Sequence, residues 1–128
     1  MSAKWRYFNP NPEGKHTGDC VIRAICAVTA QDWGTTYTGA ALQGYVLSDM
    51  PSGNYVWGAY LRSKGFKRAI IPNECPDCYT VGDFAAEHPR GRFVLGCGDP
   101  AVAVINGDVW DTYDSTDKIP IYYFYKDD

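Results

Sequence analysis

The stretch Cys20-Val-Ile-Arg-Ala-Ile-Cys-Ala-Val28 constrains this chain more than any other. Its spacing suits a helix, and that helix is apolar on most of its surface. Such a helix cannot lie on the outside of a small protein, so the rest of the chain has to be built around it. Asp19 stands at the N-cap position, immediately ahead of the first helical residue. Residues 8–18, Phe-Asn-Pro-Asn-Pro-Glu-Gly-Lys-His-Thr-Gly, form the approach, and prolines and glycines at that density specify a loop.

Two more helices follow in sequence. Asp32 caps one that runs to about Val46 and is softened by Gly34, Gly39 and Gly44. Asn54 caps another over Tyr55 to Lys64, with Gly65 as its stop. Phe66 to Ile71 has strand character. Thr80-Val-Gly-Asp83 is a capping box for a short helix that ends before Pro89. From Arg92 onward the period becomes that of a sheet, in four runs: Phe93–Leu95, Ala101–Ile105, Val109–Tyr113 and Ile119–Tyr125. Asn106-Gly107 between two of them is a strong hairpin signal. Helices first and an antiparallel meander afterwards is the α+β pattern: N-terminal helices, one starting at Cys20, packed on a C-terminal antiparallel β-sheet. With no repeat and no linker, residues 1–128 are expected to form one domain. The aromatic run Ile121-Tyr-Tyr-Phe-Tyr125 suits either an inner strand or an edge that pairs with a second copy.

Size and charge narrow the function. A chain of 128 residues can bury a real core without a disulfide or metal staple. Its net charge of −3 argues against a nucleic-acid partner, whose phosphates call for a basic excess. Only Lys4-Trp5-Arg6-Tyr7 interleaves aromatic and basic residues as a base-stacking surface would. No apolar run approaches the ~20 residues of a membrane helix, and the first residues lack the apolar stretch of a signal peptide. Five cysteines form no paired framework, which suits a reducing, cytoplasmic setting.

Three groups of residues could carry chemistry. Cys20 begins a helix, where the macrodipole favours a thiolate, and Gly18 leaves room for a substrate; the plainer role is that of a small core residue. Cys26 belongs to the core. Cys75-Pro-Asp-Cys78 is half of a zinc site, which Cys97 and His88 would have to complete, or a redox pair before a helix; an ordinary loop is favoured over both. Asp111, Asp114 and Asp117 recur every third residue and so miss the alternate spacing of a calcium loop. No metal or cofactor is expected.

Thr17-Gly-Asp-Cys20-Val-Ile-Arg-Ala24 with Trp33 and Tyr37, then Tyr79-Thr-Val-Gly-Asp-Phe84, His88-Pro-Arg-Gly91 and Val109-Trp-Asp-Thr-Tyr-Asp-Ser115, together resemble the papain-like cysteine peptidase fold of small phage and prophage proteins. The resemblance implies a cysteine on a helix, packed against a sheet that presents a histidine and then an acid. The histidine takes the thiol proton, the acid orients it, and a polar group near the cysteine stabilises the oxyanion. Cys20 matches the nucleophile and Asp111 the orienting acid. Asn9 or Asn11 would supply an oxyanion donor, Asp19 is a further binding candidate, and Asp99 could contact Cys20, where a carboxylate would raise the thiol pKa rather than activate it. Pro100 stands where the histidine should be, and proline has no group to titrate.

The only histidines are His16, four residues before Cys20, and His88, at the end of a helix. The leading expectation is therefore a papain-like protein that has lost peptidase chemistry and binds a protein or peptide partner, with an anti-defence role among the candidates. The alternative is an active peptidase or amide hydrolase in which His16 serves Cys20 as base. A third is a metal-stabilised domain built on Cys75 and Cys78.

Overall fold

A computed structural model describes residues 4–72, 79–98 and 101–126. In chain order the elements are β1 (Lys4–Tyr7), α1 (Cys20–Thr29), α2 (Trp33–Leu47), α3 (Asn54–Ser63), β2 (Lys67–Ile70), α4 (Val81–Glu87), β3 (Arg92–Gly96), β4 (Ala101–Ile105), β5 (Asp108–Asp111) and β6 (Tyr122–Tyr125). The architecture is α+β, with four helices and one six-stranded sheet among the described residues.

Local chemistry explains most element ends. Asp32 accepts a hydrogen bond from the Thr35 amide and so caps α2. Thr80 and Asp83 form the complete capping box of α4, each side chain bonded to the other residue's amide. Asn106 (φ 50°) and Gly107 (φ 83°) both take the left-handed conformation that a tight two-residue hairpin between β4 and β5 requires. α3 differs from expectation. Gly53 takes the N-cap position, and Asn54 lies inside the helix, accepting from Trp57 Nε1 at 3.1 Å.

The sheet departs from a C-terminal antiparallel meander. Its order is β1-β5-β4-β3-β6-β2. Only β3, β4 and β5 follow one another as a meander. β6 returns to the far side of β3 and lies between it and β2, so the Tyr122–Tyr125 strand is an inner one. β1 adds at the other edge, parallel to β5, and makes the sheet mixed. Lys4-Trp5-Arg6-Tyr7 is thus strand rather than stacking surface: Trp5 Nε1 donates to the Asp111 carbonyl and Arg6 pairs with Asp108.

β4 shows how the sheet is covered. Successive strand residues point to opposite faces. Ala101 and Ala103 join the core beneath α1 and α3, with Ile25, Val28, Trp57, Leu61 and Phe124. Val102 and Val104 join a second core beneath α4, with Val81, Phe84, Leu95 and Val109. Both faces being covered accounts for the unbroken apolar run of β4. α1 is buried along nearly its whole length, as its composition requires. No described helix is long and apolar enough to cross a membrane.

Candidate functional site

Cys20 is the first residue of α1 and is half-buried. Asp19 holds the cap position, but its side chain makes no capping bond. It turns inward, accepting from Arg23 through Oδ1 and from Trp33 Nε1 through Oδ2 at 2.9 Å. Arg23 lies one turn along α1 and is 6% exposed. Its other terminal nitrogen donates to Asp111 Oδ1 at 2.9 Å.

Asp111 ends β5 and is 2% exposed. Its Oδ1 also accepts from the Thr112 amide at 2.7 Å, and its carbonyl is bonded by Trp5 and by the Phe8 amide. A buried ion triad, Asp19–Arg23–Asp111, therefore ties the start of α1 to the end of β5. Burial opposes the guanidinium charge, yet the hydrogen bonds and charges of Asp111 and Asp19 outweigh it and raise the Arg23 pKa. Arg23 Nε and Asp111 Oδ2 have no partner among the described residues.

The two histidines lie elsewhere. His16 is exposed in the loop before α1, with Nε2 3.3 Å from the Tyr7 hydroxyl of β1. His88 follows α4; its Nδ1 lies 2.7 Å from the Phe84 carbonyl, to which it donates, and its ring stacks on Phe84. Asn9 and Asn11 stitch their own loop. Asn9 Nδ2 donates to the Lys15 carbonyl and its Oδ1 accepts from the Asn11 amide. Asn11 Oδ1 accepts from the amides of Glu13 and Lys15. Asp99, Pro100, Cys75 and Cys78 lie outside the described residues, and so does the CxxC reading. Among the described residues no three His, Cys, Asp or Glu side chains come together as metal ligands.

Sequence reasoning missed several members of this neighbourhood. Cys97, just past β3, has its thiol pushed up to about 12: burial contributes most, Lys118 opposes, and Asp111 and Cys20 reinforce. Tyr113 is raised too, by burial first and then by the charges of Asp111 and Cys20, with Arg23 opposing. The Lys118 ammonium lies 5.9 Å from the Tyr113 ring centre. Cys20, Arg23, Cys97 and Asp111 thus all lie within electrostatic reach of Tyr113. Arg23 alone had a local signal. A single charge on a helix that must be buried needs a buried partner, and Asp19 lies four residues before it.

Beside this cluster a cleft of about 460 Å³ opens between the loop at residues 11–19, α1, α2 and Met50–Ser52. Val21, Ile22, Trp33, Tyr37, Met50 and Pro51 give it apolar walls; Asn11, Glu13, Lys15 and Asp19 give it polar edges. Trp33 and Tyr37 stack at 5.0 Å. The cleft borders Asp19 without reaching Cys20. Chemically the arrangement offers an ionically locked helix start next to an apolar, aromatic-walled groove, and neither histidine bonds to Cys20 or Asp111. Comparison of the chain with protein-family models, with curated proteins and with solved structures finds no match.

Proposed function

We propose that this chain is a papain-like protein of the small phage type that acts by binding a protein or peptide rather than by cutting one. The observation that carries the reading is the partner of Asp111. In a working cysteine peptidase the acid orients an imidazole, which removes the thiol proton. Here Asp111 Oδ1 is taken by Arg23, whose guanidinium stays charged and has no lone pair with which to accept a proton. The histidines are engaged with Tyr7 and with the Phe84 carbonyl, and Pro100 occupies the position where the resemblance expects an imidazole. What remains is a rigid anchor for α1 beside an apolar cleft, and such clefts receive apolar side chains of a partner segment while polar edges set their orientation. For a phage protein, obstructing a host defence complex is a role of this kind.

The test has two parts. Incubation of the full chain with a broad peptide mixture, read by mass spectrometry for new termini, is expected to show no cleavage that depends on Cys20. Turnover lost alike in Cys20→Ala and His16→Ala would overturn the proposal in favour of a hydrolase with His16 as base. In a peptide-array binding experiment, Tyr37→Ala is expected to weaken binding at least tenfold and Cys20→Ala to leave it unchanged.

A further inference from the structure

We infer that the outer face of α2 pairs with the same face of a second copy of this chain, the two helices running antiparallel about a two-fold axis. This surface is separate from the cleft of the preceding proposal and does not depend on it. The fifteen residues of α2, WGTTYTGAALQGYVL, include no charged side chain, and the helix buries only Thr36, Ala40 and Gly44, a stripe of small residues spaced by four. That stripe lets α2 lie close against its neighbours, with Gly39 so near the Tyr60 ring that an added Cβ would stand 2.5 Å from it. The opposite side faces water, yet it lacks the charges that solvent-facing helix surfaces normally carry.

At ~100° per residue, Gly34, Thr38, Ala41 and Tyr45 fall on one outward strip, with Leu42 and Val46 beside it. Leu42 is 64% exposed, Tyr45 80% and Val46 69%. These three side chains leave roughly 400 Å² in water, within the range for the largest patch on a monomer, which is often a functional one. With the exposed Thr35 and Thr38 added, the face stays below the ~800 Å² that each partner contributes to a standard interface, which is the size of a weak, reversible pairing.

Two features make a second copy the occupant. One is shape. When two α2 helices run antiparallel about a point between Thr38 and Ala41, Tyr45 of each copy falls over Gly34 of the other, and Thr38 faces Ala41. Large thus meets small at both ends, and the two-fold axis provides the match twice. Small residues at the crossing also permit a close approach of the axes, near the ~8 Å lower limit of helix packing. The other feature is charge. A face without charges offers nothing to steer a charged partner, and it allows two chains of net −3 to meet without setting carboxylate against carboxylate.

Sedimentation and light scattering on the full chain between ~1 and ~100 µM, where micromolar interfaces assemble, are expected to show the mass rising from 14.2 kDa toward twice that value. Thr38 is exposed, so charges placed there leave the core untouched. Thr38→Glu and Thr38→Lys should each remain monomeric, because the two-fold axis brings like charges together. An equal mixture of the two should recover the dimer mass. A wild-type chain that stays monomeric throughout overturns the inference, as does a dimer that survives both single variants. A mixture that fails to recover the dimer, with both variants folded by circular dichroism, overturns it as well.

Discussion

Replacing Arg23 by Met removes the centre of the Asp19–Arg23–Asp111 triad while keeping an unbranched side chain that fills the same space. The consequences follow from which bonds survive. Asp19 keeps Trp33 Nε1 as a donor, and Asp111 keeps the Thr112 amide. Each loses a guanidinium, and two carboxylates with side chains only 7% and 3% exposed are left close together without a cation. Breaking a buried ion pair from one side costs about 3–5 kcal/mol, and the surviving neutral donors keep the loss inside that range rather than beyond it. Set against the ~5–15 kcal/mol that holds a domain folded, this is a large fraction. At about 4 °C per kcal/mol for a chain of this size, the midpoint of thermal unfolding should fall by roughly 12–20 °C.

Urea and thermal unfolding at pH 7 check the figure. The triple variant Asp19→Asn, Arg23→Met, Asp111→Asn should recover most of the loss, since neutral amides no longer need a buried counter-charge; the three changes would then be strongly non-additive. A loss below ~1 kcal/mol for Arg23→Met would mean that the guanidinium pairs with water rather than with the two acids, and the triad would be refuted.

Three further outcomes are expected. Burial raises the Cys97 thiol to about 12, and Cys26, Tyr113 and Tyr122 are also raised, burial being the leading cause in each. The folded state keeps these protons while the unfolded chain releases them above about 8.5 for Cys and 10 for Tyr, so stability should decline as pH rises past ~9; urea midpoints between pH 7 and 10.5 would show it, and a flat profile would contradict it. Native alkylation near pH 8, followed by peptide mass spectrometry, should modify half-buried Cys20 well ahead of Cys97, whose thiol burial pushes up to about 12, with 2%-exposed Cys26 slowest among these three. Gly39→Ala would gain up to ~1 kcal/mol of helix propensity, but its Cβ would stand 2.5 Å from the ring of Tyr60, which is 7% exposed and held by Gln31. Overpacking of ~1–3 kcal/mol should win, giving a net loss in urea unfolding; a gain would show that the Tyr60 ring is free to shift.

Features legible in the sequence are those whose partners lie within a few residues. The Thr80–Asp83 capping box, the Asn106-Gly107 turn, the Asp32 cap and the buried α1 all depend on bonds or periodicities that close locally. Cys20 and Asp111, taken from the resemblance, both act on Cys97 and Tyr113, but the cation beside Asp111 is Arg23 from 88 positions away.

No local pattern selects that pairing, because a lone arginine states only that it needs an acid and not which one. β1 is the same kind of case. Its four residues are all exposed and bury no apolar face, so its membership of the sheet comes from backbone bonds to β5 and from the side-chain bonds of Trp5 and Arg6 to the same distant strand. β6 could be recognised as a strand from its aromatic β-formers, but its place between β3 and β2 was a matter of register with both. Element type was thus written in the sequence by local hydrogen bonding and apolar period. Strand order and the partner of each buried charge were decided only when distant segments met, because their free energy lies in contacts that do not exist until the sheet and α1 are packed together.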